Sequence, residues 1–166
     1  MVVDEAPVHT SNVVPRAFPA PGTRCRMNPM TSFIAHTTID CGNAHELSEW
    51  WKQVLGYVDL EDDPNGPGDE ECMIVSPVNG HRLLFIEVPD EKRAKNRIHF
   101  DLQPHAGTRD EEVRRVVALG ATEVADERDH YGPGIGWVVL QDPWGNEFCI
   151  LRSEEERRAA PMQPRS

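Results

Sequence analysis

The chain reads as an α+β fold built from two βαβββ modules. Three observations predict it. A strand-like run around His36 (residues 33–40) is answered by one around His99 (residues 97–102). A Leu-Gly pair follows each, with Gly56 20 positions after His36 and Gly120 21 after His99. A turn then opens an apolar run, with Gly80 24 positions after Gly56 and Gly145 25 after Gly120. Three landmarks repeated at matching intervals mark an internal duplication, and a duplication settles architecture before single residues are weighed.

The first module spans residues 32–88. Residues 32–41 alternate and are rich in Thr and Ile, which predicts a strand. Asn43 is an N-cap residue with Glu46 at the capping-box spacing. Leu47, Trp50, Trp51, Val54 and Leu55 then fall at offsets 0, 3, 4, 7 and 8, a helical stripe. Gly56 ends the helix. Strands follow at 57–61, 72–76 and 82–88, separated by an acidic Pro/Gly loop and the turn Pro77-Val78-Asn79-Gly80.

Residues 89–96 form a charged linker to the second module, residues 97–153. Its first strand is 98–103. Thr108 or Asp110 caps a helix carrying Val113, Val116, Val117 and Leu119, which Gly120 stops. Strands follow at 122–125, 136–141 and 147–152, with Gly132-Pro133-Gly134 in the first connecting loop. Residues 1–31 hold five prolines without periodicity and read as a disordered arm, and Met27 or Met30 offers a later start. Residues 154–166 read as a charged, flexible tail.

Composition bounds the function. The 166 residues suit one domain with tails, and 39% hydrophobic residues suffice for a core. Net charge is -11 and no Lys/Arg-rich block stands out, so nucleic acid is not an expected partner. No run approaches the ~20 apolar residues of a membrane helix, and residues 1–30 lack the pattern of a secretory signal. Cys25, Cys41, Cys72 and Cys149 are widely spaced without a Cys-x-x-Cys pair, which fits reduced thiols in a cytoplasmic protein. Dinucleotide, P-loop and Gly-x-Ser-x-Gly motifs are absent.

The paired modules, the turn Asp142-Pro143-Trp144-Gly145-Asn146 and a His at the first strand of each module resemble the vicinal oxygen chelate superfamily. This is the glyoxalase, bleomycin-resistance and extradiol-dioxygenase group, and residues 96–102 and 145–151 look most like its glyoxalase-like branch. The resemblance implies curved mixed sheets forming a cup for a small ligand, often with a divalent metal. It also supports a homodimer, in which pairing would cover sheet edges.

Strand alternation says which side chains face the cup. His36, Thr38 and Asp40 share one face; His99, Asp101 and Gln103 another; Glu147, Cys149 and Leu151 a third, with Trp137, Val139 and Gln141 beside it. The resemblance implies metal ligands from the first and last strands of each module. His36 and His99 match. The carboxylate expected seven residues after Asp142 is replaced by Cys149, and module one offers Leu84 or Ile86 there. His36, His99 and Cys149 would suit zinc, which accepts imidazole and thiolate. The alternative is that both histidines hydrogen-bond Asp101, Glu147 or a ligand without a metal. Glu147 in a partly apolar cup either has a raised pKa and acts as a general base, or is a polar lining residue or salt-bridge partner. Trp137 is the aromatic expected to stack on a ligand. Trp50 and Trp51 read as core, Trp144 as exposed or at a subunit contact, and His130 as solvated.

Two functions follow from the resemblance. One is a glyoxalase-like lyase or isomerase acting, with metal assistance, on a small oxygenated or aromatic metabolite. The other is a metal-free cup that sequesters its ligand, as bleomycin-resistance proteins do.

Overall fold

The structure, a computed structural model, describes residues 32–161. The expected arm at 1–31, with Cys25, lies outside the described residues. The first module comprises β1 (Thr37–Cys41), α1 (Ala44–Leu55), β2 (Val58–Asp59), β3 (Glu71–Val75) and β4 (Arg82–Glu87). The second comprises β5 (Phe100–Leu102), α2 (Arg109–Ala118), β6 (Thr122–Glu127), β7 (Trp137–Gln141) and β8 (Glu147–Leu151). A third helix, α3 (Glu154–Ala159), follows. Each module makes a four-stranded sheet of the same order, β1-β4-β3-β2 and β5-β8-β7-β6. In each, the first strand pairs parallel with the last and the remaining pairs are antiparallel. This is the duplicated α+β architecture that the repeat predicts.

Local chemistry explains the helix ends. Asn43 Oδ1 accepts the Glu46 N–H at 2.9 Å. Gly56 closes α1 at φ 67°, a left-handed conformation that costs a glycine nothing. Of the two candidate caps on α2, Thr108 is the one used, in a reciprocal capping box with Glu111.

The stripe on α1 does more than cover its own sheet. Leu47, Trp50, Trp51 and Val54 are buried with Ile74, Leu83 and Phe85 of the first sheet. The same tryptophans reach the second module. The Trp51 ring lies 5.7 Å from Phe100 and 5.3 Å from Phe148, both edge-on, and the Trp50 indole N–H donates to the Leu119 carbonyl at 2.9 Å. Arg115 of α2 donates to the carbonyls of Gln53 and Val54 at 3.0 and 2.9 Å, satisfying groups left open at the end of α1. One continuous core therefore serves both modules.

Four expectations need correction. β1 and β5 are shorter than the runs at 32–41 and 98–103, because pairing begins at Thr37↔Leu83 and Phe100↔Phe148. His36 and His99 consequently stand one residue before their strands. Residues 154–159, expected in a loose tail, form α3, whose Glu156 carboxylate accepts the N–H groups of Ser153 and Arg109, both at 2.8 Å. Trp144 packs against the rim of the core, its indole close to Gly42. Val117 is exposed, so only Val113 and Val116 of the α2 stripe are fully buried.

Trp51 is 1% exposed, and truncating it opens a cavity between the modules. Trp51→Ala is expected to lower unfolding free energy by about 3–5 kcal/mol, measured by urea denaturation. Trp51→Phe, which keeps a ring but removes the indole donor, should cost less, about 1–3 kcal/mol.

Candidate functional site

Core packing decides what the second sheet presents on its other face. Val138, Leu140, Phe148 and Ile150 are fully buried against the helices. Alternation then turns Trp137, Val139, Cys149 and Leu151 the opposite way. These four, with Lys95, His99, Asp101, Tyr131 and Glu147, line a cavity of about 410 Å3. The face assigned from alternation in this module is thus the one observed. A second cavity, about 860 Å3, lies along β1 and residues 88–100 and is rimmed by Trp144.

On the smaller cavity's floor three different donors meet. One ligand atom each from His99, Asp101 and Cys149 lies within 4.8 Å of the others. Register makes this possible: Asp101 and Cys149 are direct partners across the parallel β5–β8 pair, and His99 precedes Asp101 by two residues, on the same side. His99 Nε2 is 3.4 Å from Asp101 Oδ1. Cys149 is 4% exposed. Burial, reinforced by the neighbouring Asp101 carboxylate, pushes its thiol up to about 12. Left alone it is an uncharged thiol and a poor nucleophile. The donor set itself, an imidazole, a carboxylate and a sulfur with open directions towards the cavity, fits a divalent ion of zinc's preferences.

His36 is not brought to this cluster. It is exposed, ahead of β1, and lines neither cavity. Each module's first strand pairs with its own last strand, so β1 does not bring His36 beside β5 within one chain. Asp101, expected on the cup face as a hydrogen-bond partner of the histidines, takes the third place.

Glu147 takes the salt-bridge alternative. It accepts from Lys92 Nζ at 2.9 and 2.8 Å, from the Asn96 N–H at 2.9 Å and from Gln141 Nε2 at 3.3 Å. Burial alone would raise its pKa. The Lys92 ammonium and the N–H donors outweigh that and hold the carboxyl at about 2, the reverse of the raised value expected for a base. Its geometry suits an anchor: it fastens the linker between modules to β8.

The aromatic wall is fuller than expected. Trp137 stands 4.7 Å from the His130 ring and 5.7 Å from the Tyr131 ring. The loop carrying them is tied down by Arg109, which is buried and donates to the carbonyls of Gly134 and Gly136, each at 3.2 Å. Gly136 is required there, since a Cβ would run into the Glu127 carbonyl. His130 is exposed, as the sequence reading had it, while Tyr131, which that reading passed over, lines the cavity. No local pattern marks a loop residue as folding back on a strand.

Comparison with known proteins agrees with the fold. The family model described as a glyoxalase-like domain matches residues 36–151, and the chain belongs to that family, within the vicinal oxygen chelate superfamily. Among solved structures, the chain is similar to the fosfomycin resistance protein FosX from Listeria monocytogenes, complexed with Mn(II) and sulfate. Identity is 18%, coverage 78% of this chain and 99% of that one, and the TM-score 0.54. FosX from Mesorhizobium loti is 12% identical over 78% and 99% of the two chains, with a TM-score of 0.53. A glyoxalase/bleomycin resistance protein/dioxygenase family enzyme from Burkholderia phytofirmans is 19% identical over 70% and 94%, at 0.52. At these identities the likeness concerns the fold. No curated protein matches the sequence at a significant level.

The Glu147 pair sets an acid limit on stability. A carboxyl depressed in the folded chain contributes stability that is full above its unfolded pKa, about 4.3, and is lost as pH falls through the folded value. Melting temperature should therefore drop as pH falls from about 4.5 towards 2. Glu147→Gln should remove part of that slope and cost about 1–3 kcal/mol at pH 7, followed by thermal denaturation across the pH range.

Proposed function

We propose that this glyoxalase-like domain binds a small oxygenated or aromatic metabolite on the open face of its second sheet and acts on it, with a divalent metal, as a lyase or isomerase. One observation carries this reading: the convergence of His99, Asp101 and Cys149 on the floor of a cavity walled by Trp137 and Tyr131. The three side chains would hold the ion, and zinc is the element their chemistry favours, sulfur being a poor ligand for manganese. A bound ion would supply Lewis-acid polarisation of a substrate oxygen. The chain's own contributions are distinct. Trp137 offers a stacking face. Glu147, bound to Lys92 and Asn96, holds the linker so that His99 and Lys95 border the cavity. Val139 and Leu151 make part of the wall apolar. A FosX of the same fold is complexed with Mn(II), which supports the metal reading.

A metal-free binding protein is the second reading. It is favoured by the state of Glu147, which is engaged by Lys92 and so is not free to move a proton.

Elemental analysis of purified protein, with a zinc-dependent shift in melting temperature, separates the two. On the metal reading the protein carries about one equivalent of zinc, His99→Ala and Cys149→Ser each abolish it, and His36→Ala does not. Absence of zinc from the unaltered chain, with no melting shift on its addition, would leave the binding-protein reading.

The homodimer is also a proposal. β1 and β5 are both edge strands, and Ile98 beside β5 is 82% exposed. Light scattering is expected to give twice the chain mass at micromolar concentration. No helix among the described residues is long and apolar enough to cross a membrane. Cytoplasmic placement remains a proposal resting on the buried, unpaired thiols of Cys41, Cys72 and Cys149.

A further inference from the structure

One cation lining the small cavity, Lys95, has no ion-pair partner among the described residues. Glu147 is neutralised by Lys92 at 2.8 Å. Asp101 leans on His99 and shares the floor with Cys149. Lys95 lines the same cavity yet makes no ion pair or hydrogen bond among the described residues, and neither do its neighbours Arg93 and Arg97. In a chain of net charge -11, four of the six residues from Lys92 to Arg97 are cationic. Only the first of them is consumed internally.

The position of the run is fixed. The Glu147 carboxylate clamps Lys92 and the Asn96 N–H on either side of Lys95. The intervening residues are thereby held where Lys95 lines the same cavity as Trp137. An unpaired ammonium beside an aromatic face calls for a ligand with a planar or oxygenated body and an anionic end.

We infer that the ligand of this site is an anion, a carboxylate or phosphoryl compound, whose charged group is received by Lys95 while its body lies against Trp137. This rests on the reading that the cavity is a ligand site, and it adds the ligand's charge. Uncharged ligands of equal size would lack that contact.

Three probes sharing one ring system test it: naphthalene-2-carboxylate, 2-naphthyl phosphate and the neutral naphthalene-2-methanol, titrated into the full chain and followed by tryptophan fluorescence. Expected is tighter binding of at least one anion than of the alcohol, by about 5–10-fold, as one charge-assisted contact provides. The order of carboxylate and phosphate then tells which anion the site prefers. Lys95→Gln should bring the anions down to the alcohol's affinity while leaving the alcohol and the melting temperature unchanged, and Lys95→Arg should keep the preference. Equal binding of all three, or a preference that survives Lys95→Gln, would overturn the inference while leaving the ligand site intact. Failure of every probe to bind would instead count against the cavity as a ligand site, and so against both.

Discussion

The side chain of Asp142 is the point on which the two modules turn. It is buried in the turn between β7 and β8, where it accepts the N–H groups of Trp144 and Asn146 at 2.9 Å each. The Asn146 amide adds bonds to both of its oxygens, at 3.3 and 3.0 Å. The Trp51 indole N–H, from the other module, comes to its second oxygen at 3.3 Å. A carboxylate at such depth is costly, and burial does push its pKa up. The donors around it lower that penalty. The turn is thus shaped by the same group that receives the helix of module one. With Asp142 satisfied, β8 starts in register, and β8 carries both the floor thiol and the anchor of the linker.

The division of labour follows from this. Residues facing the helices are apolar and interlock across the module boundary. Those facing away are free to be polar, because their strand is already held. Cys149 and Glu147 are neighbours on that free face but have opposite fates. Glu147 lies within reach of the linker's Lys92 and is fully engaged. Cys149 lies beside Asp101 and His99 without a cation bound to it, and stays an uncharged thiol until something displaces its proton.

Much of this was legible in the sequence, and the limits have physical causes. Period and punctuation revealed both modules, because a 3.6-residue stripe, a glycine stop and an Asp-Pro-x-Gly turn are local signals. Alternation identified the inner face of β5, β7 and β8 for the same reason. Alternation does not reveal which strands adjoin, so His36 and His99 looked equivalent although only His99 stands beside a thiol and a carboxylate. It does not reveal ion pairs between residues 55 positions apart either, so Glu147 stayed open between a base and a salt-bridge partner until Lys92 was seen on it. The helix after Ser153 was missed because a six-residue element carries too little pattern, although Ser153 and Glu156 do hold the capping-box spacing. Lys95 sat inside a run read only as a connection.

The contact between Trp51 and Asp142 spans 91 positions. Ring contacts to Phe148 span more. A ribosome that has just released the first module has made a helix whose buried stripe lacks half its cover, and nothing nearby in the chain can supply it. Part of it comes with Phe100 and α2, and Phe148 completes it only once β8 has been made. Closing so long a loop is slow relative to forming either helix. The interval is a time when two adjacent indoles remain wet, and a cell making this protein has to tolerate or shield that surface until the last strand emerges.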